Sequence, residues 1–133
     1  MEIDRATNLQ AYVDAVAGKP VAYGVDDCTM WSARWVERVT GFPVPTRPYR
    51  SKSEALALIA AAGGLVNIWT DALDAIGIFE RYDMPRLGDV GIIDTHLFGQ
   101  VGVIVADGGF VLWRATEGVS VLRPRKFVKV WSI

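Results

Sequence analysis

Cys28 is the only cysteine and His96 the only histidine among the 133 residues, so thiol–imidazole chemistry within one chain would have to pair these two. The same counts exclude an intrachain disulfide and a Cys/His zinc site, and no metal or cofactor is expected. Cys28 follows Asp26-Asp27 and begins a run over residues 28–40 that reads as a helix, with Asp27 as its N-cap and Gly41 after its end. A cysteine in the first turn of a helix meets unpaired backbone N–H groups and the positive end of the helix dipole. Both favour the thiolate, which is the nucleophile, and the same N–H groups can stabilise an oxyanion. Gly24 lets the chain turn tightly before the helix. Asp26 and Asp27 act the other way, since nearby negative charge raises a thiol pKa. The plainer alternative is a packed thiol, because cysteine is among the most buried residue types.

The elements that would position Cys28 follow from periodicity. Asn8 can cap a first helix carrying Leu9, Tyr12, Val13 and Val16 on one face, stopped by Gly18 and Pro20. Trp31, Trp35 and Val39 share a face with Cys28 and serve either as core or as the wall of a groove. Residues 42–50 hold Pro43, Pro45 and Pro48 and should run extended. Ser51 or Ser53 then opens a short helix with Leu56, Ile59 and Ala60 inward, broken at Gly63-Gly64. A further helix with Leu65, Ile68, Trp69, Leu73 and Ile76 in register ends at Gly77. Strands are predicted over residues 90–93, 101–105, 110–113, 119–122 and 127–131, with turns at Asp107-Gly108-Gly109 and Glu117-Gly118. Asp89 reads as a turn residue opening the first strand. Helices first and antiparallel strands second make one α+β domain over residues 1–133, the sheet a meander or partly closed barrel.

Composition narrows the partners. Apolar residues are 51% of the chain and the net charge is −1, with both signs mixed along the sequence. This gives no field for nucleic acid or for an anionic membrane surface. Arg123-Pro124-Arg125-Lys126 is short and reads as a solvated turn. The longest apolar stretch, residues 55–66, is too short to span a bilayer and is interrupted by glycines, so no membrane insertion is expected. The charged start Met1-Glu2-Ile3-Asp4-Arg5 lacks the apolar segment of a secretory signal, so a cytoplasmic site of synthesis is expected.

Gly24-x-x-Asp27-Cys28 followed by a helix resembles the Asp-Cys-Ser-Gly opening of the NlpC/p60 cell-wall cysteine peptidases. Thr29 stands where that family usually has Ser, and Met30 where it often has Gly. Arg86-Leu87-Gly88-Asp89-Val90 and Gly99-Gln100-Val101-Gly102-Val103-Ile104 resemble the family's Gly-Asp-Leu-Val and His-Val-Gly-Ile-Tyr strands. The order and the helix-then-strand layout also match, and the likeness is greatest to an NlpC-like branch of phages and prophages, often encoded among tail genes. The resemblance implies a papain-like fold and a cysteine hydrolase acting on peptide or amide bonds of peptidoglycan. Its partners would be peptidoglycan or other phage tail proteins, in a virion. The family's general base is a histidine, and the matching position here is Gln100, which cannot take a proton. That departure leaves two expectations. In one, Cys28 attacks and His96, in the loop four residues before Gln100, folds back as base. In the other, the chain is a catalytically inactive structural or binding protein of a phage tail, with Gln100 either hydrogen-bonding at a relic site or lying on the strand surface.

Overall fold

The computed structural model describes residues 4–133, and Met1, Glu2 and Ile3 of the charged N-terminal stretch lie outside the described residues. Helix α1 (Arg5–Asp14) is capped by Asp4, whose carboxylate accepts from the Thr7 amide at 2.9 Å and the Thr7 hydroxyl at 2.8 Å. The expectation that Asn8 caps this helix is corrected. Asn8 lies inside it, and its side-chain oxygen accepts from Arg38 Nε at 2.6 Å.

Helix α2 (Cys28–Thr40) begins at the cap Asp27 and ends at Gly41, which takes φ 77°. Trp31 and Trp35 are 2% and 0% exposed, which settles them as core. Trp31 stacks on Tyr12 with ring centroids 5.1 Å apart, and Trp35 Nε1 donates to the Gly88 carbonyl at 2.7 Å. That bond ties α2 to the chain just before the first strand.

Helices α3 (Lys52–Ala62), capped by Ser51, and α4 (Leu65–Asp74) are bent by 77° across Gly63-Gly64. α4 buries Leu65, Trp69 and Leu73. Of the expected inward face of Leu56, Ile59 and Ala60, Ile59 is half-buried against the core, but Leu56 is 54% exposed and Ala60 is exposed, so the expectation is corrected for those two. The reason is compositional: α3 is Ala, Leu and Ile on almost every side, so its sequence marks no single face for burial. Among the described residues no single helix is long and apolar enough to cross a membrane.

Five antiparallel strands follow: β1 (Val90–Thr95), β2 (Gly99–Val105), β3 (Val111–Trp113), β4 (Ser120–Leu122) and β5 (Phe127–Trp131). Their order is β4-β3-β2-β1-β5. The sheet is therefore a four-strand meander whose last strand returns to the far side of β1, rather than a pure meander or a closing barrel. Val90, Ile92, Ile104, Leu112 and Trp131 form the main core with Trp31, Trp35 and Trp69. Ile93, Val101, Val103 and Val111 make a second cluster, flanked by Trp113, Leu122 and Phe127. A register shift between Ile92 and Ile93 lets β5 offer Trp131 to the first cluster and Phe127 to the second.

Asp89 does more than open a strand. Its carboxylate is fully buried and accepts from Arg81 Nε at 2.6 Å, the Arg86 amide at 2.8 Å and the Ile133 amide at 3.1 Å. The hydrogen bond to Asp89 holds the Arg81 pKa above its ordinary value.

Candidate functional site

The start of α2 packs against β2 at Gly102. A Cβ there would overlap the Trp69 ring and stand 3.4 Å from the Cys28 carbonyl oxygen, so only glycine admits this approach. The loop before Cys28 is held by both of its aspartates. Asp27 is buried and accepts from the Thr29 and Met30 amides at 3.2 Å each and from the Gly24 amide at 2.7 Å. The Tyr49 hydroxyl donates to the same carboxylate at 2.7 Å. Gly24 takes φ 79°, and a Cβ on it would collide with the Tyr49 carbonyl. The Pro-rich segment is thus locked against the cysteine loop from two sides.

Asp26 faces the other way. It accepts from the Ala22 amide at 2.8 Å and from Arg114 Nη2 at 2.6 Å. Arg114 follows β3, is 1% exposed, and also donates to the Lys19, Gly118 and Pro20 carbonyls at 2.8, 3.0 and 3.3 Å. Desolvation pushes the Asp26 pKa up, but the Ala22 amide and the Arg114 guanidinium outweigh it and hold the carboxyl below its ordinary value.

The thiol is not activated by this frame. Cys28 is partly exposed, yet crowding by protein pushes its pKa up, and the Asp27 charge adds to that. The Gly102 amide and the Thr29 hydroxyl and amide favour the thiolate without overcoming the burial. The thiol is therefore protonated at neutral pH. Asp27 also takes up the Thr29 and Met30 amides, two of the N–H groups that the helix start would otherwise present to an oxyanion. The Cys28 amide is not among its donors.

Cys28 opens onto a cleft of about 1170 Å³. Its walls come from α2, the segment around Val44, α3, α4, the tip of the β1–β2 hairpin and the chain after β3. Gln100 borders this cleft with Cys28. It pairs with Asp94 across the hairpin and lies on the same face of β2 as Gly102. His96 does not border the cleft. It is exposed in the turn between Thr95 and Gly99, which the Thr95 hydroxyl fixes by donating to the Gly99 carbonyl at 2.8 Å and accepting from the Phe98 amide at 2.9 Å. The fold brings Gln100, and not His96, to the cleft of Cys28. Among the described residues no group of three or more His, Cys, Asp or Glu is arranged to hold a metal ion.

Two residues of the site escaped sequence reasoning. Tyr49 lies 22 positions from Asp27, and no local spacing links them. Arg114 carried a weak signal, a lone cation directly after a buried strand, but its partner Asp26 is 88 positions away. None of the curated proteins compared with the chain matches it. A family described as Domain of unknown function (DUF6950) matches residues 2–133, and the chain belongs to that family.

Proposed function

We propose that this chain is an NlpC/p60-like protein of a phage or prophage lineage, carried in the virion, whose Cys28 cleft binds a ligand without the rapid peptide hydrolysis of the cell-wall enzymes. The observation that carries this reading is the pairing of a helix-borne cysteine with Gln100 at one cleft that His96 does not border. A papain-like layout is supported by the cysteine helix packed on β2 of an antiparallel sheet, and the tail placement is supported by the motif resemblance. A glutamine accepts and donates hydrogen bonds but cannot hold the proton that a thiol must lose. The test is release of amino groups from purified peptidoglycan by the protein and by its Cys28→Ala variant. Equal, background release is expected. Release that depends on Cys28 would sink the reading. The virion placement is tested separately by mass spectrometry of particles from the encoding phage or induced prophage, and absence of the chain there would remove it.

A second reading, a slow cysteine hydrolase of peptide or amide bonds, is favoured by one observation: the Gly102 amide and the Thr29 hydroxyl lie beside the thiol and favour its anion. In that case the Cys28 thiol gives its proton to water and its sulfur bonds the carbonyl carbon. The C–N bond breaks as the amine leaves with a proton from water, and a second water hydrolyses the thioester, with the Cys28 amide and the Gln100 side-chain NH2 as donors to the oxyanion. Peptidoglycan release that requires Cys28 and falls with Gln100→Ala is the result that reading needs.

A further inference from the structure

We infer that the Cys28 cleft takes a single long acyl chain with an anionic end. This rests on the reading of that cleft as a binding site and names its ligand class. Three observations converge on it. The cleft is large, at about 1170 Å³, just above the usual range for small-molecule sites. Its wall is largely apolar, with Ala55, Leu56 and Ile59 of α3, Leu65 and Ile68 of α4, Val44 and the hairpin tip among its residues. Leu56 of α3 is 54% exposed and available to a ligand, whereas Ile59 packs on the core and Leu65 and Val44 are buried in it.

Hydrogen bonding decides between a peptide and an acyl chain on that wall. Away from their ends, the amides and carbonyls of α3 and α4 are used within the helices, whereas the first-turn amides of α4 have no side-chain cap. Even at the break, the Ile59, Ala60 and Ala62 carbonyls accept from the Gly64 amide, the Gly63 amide and Asn67 Nδ2. A peptide lying there would leave its own amides without partners, whereas a hydrocarbon chain needs none. Charge selects the end group. Arg47 and Lys52 are exposed at the cleft, form no ion pair among the described residues, and outnumber the exposed carboxylate Asp71. A carboxylate or phosphate at the end of the chain complements them.

The experiment is calorimetric titration of the full chain with dodecanoate and octanoate below their micelle concentrations, with methyl dodecanoate and an apolar hexapeptide as comparisons. Dodecanoate should bind on the order of a hundredfold more tightly than octanoate, from four added methylenes. Leu56→Asp should weaken it at least tenfold while leaving the thermal midpoint unchanged, because Leu56 is 54% exposed. Arg47→Glu with Lys52→Glu should weaken dodecanoate and leave methyl dodecanoate unaffected. His96→Ala, which lies outside the cleft, should bind dodecanoate as the parent does. Failure of dodecanoate to bind, binding indifferent to Leu56→Asp, or preference for the hexapeptide would each overturn the inference. Hexapeptide binding would do so while leaving the cleft a binding site, whereas the Cys28-dependent peptidoglycan assay judges the catalytic reading alone.

Discussion

The Tyr49 hydroxyl donates to the buried Asp27 carboxylate, lying 2.7 Å from one oxygen and 2.8 Å from the other. This bond joins the Pro-rich segment to the cap of the helix that carries Cys28. Burial, and then the hydrogen bond to Asp27, push the Tyr49 pKa up, so the phenol keeps its proton. Tyr49→Phe removes the donor and leaves the carboxylate with only its three backbone amides. A loss of about 1.5–3 kcal/mol is expected, the range for hydrogen bonds to charged groups, read by urea denaturation. A variant as stable as the parent would show that the bond contributes nothing.

Alkylation of Cys28 tests the thiol directly, since no other cysteine competes. With burial and Asp27 both raising its pKa, iodoacetamide should react more slowly at pH 7 than with a free cysteine peptide. The rate should still be climbing at the ordinary thiol value of about 8.5 and level off at higher pH than the peptide's. His96→Ala should not change the profile. Asp27→Asn keeps a capping oxygen but removes the charge, and should shift the profile toward lower pH. Fast reaction at neutral pH that His96→Ala abolishes would contradict this placement of the two residues.

Gly102→Ala places a methyl group into the Trp69 ring, at the point where β2 meets the start of α2. Trp69 is 5% exposed and packs on Trp131 with centroids 5.5 Å apart, so its freedom to move aside is small. Overpacking of this kind costs about 1–3 kcal/mol. A lowered thermal midpoint with altered tryptophan fluorescence is expected. An unchanged midpoint would mean that the helix and strand are not pressed together there.

How far the sequence reaches can be judged at particular residues. The cap Asp27, the stop Gly41 and the five strand segments are set by neighbours along the chain, and the structure has them where local signals put them. Asp4 rather than Asn8 is the first cap because the Asp4 carboxylate meets the Thr7 amide, while the Asn8 side chain is taken up by Arg38, 30 positions away. α3 defeated periodicity because a helix that is apolar all round has no stripe to read. For the site, Cys28 and Gln100 were reached through spacing and resemblance. Tyr49 and Arg114 were not, because their partners are set by tertiary packing between segments that share no local pattern.

Arg114 should be among the least replaceable residues. Its guanidinium satisfies three carbonyls and Asp26 while 1% exposed. Arg114→Ala removes all four contacts and frees the loop before Cys28, and each carbonyl left buried without its donor costs about 1–3 kcal/mol. Asp26 gives this an acid signature. Its folded pKa is lowered, so the stability it contributes is present above its unfolded value of about 3.9 and is lost as pH falls through the folded value. Denaturation midpoints between pH 5 and pH 2 should fall less steeply in Asp26→Asn than in the parent. Equal slopes would show that the pair does not titrate with folding.

The alkaline side carries the corresponding signature of Cys28. Its folded pKa is raised, so above about pH 8.5 the unfolded chain loses the thiol proton while the folded chain keeps it. The unfolded state then binds fewer protons, and stability falls with rising pH until the folded thiol also ionises. Tyr12 and Tyr49, whose pKa values burial also raises, act in the same direction but only above about pH 10, where free phenols begin to ionise. The interval between about pH 8.5 and 10 therefore belongs to the cysteine. Urea denaturation at steps across that interval should show a declining stability in the parent and a flat one in Cys28→Ser, whose hydroxyl does not titrate there. A decline of the same slope in both proteins would mean that the thiol ionises equally in the folded and unfolded chains, and that its surroundings do not hold the proton on.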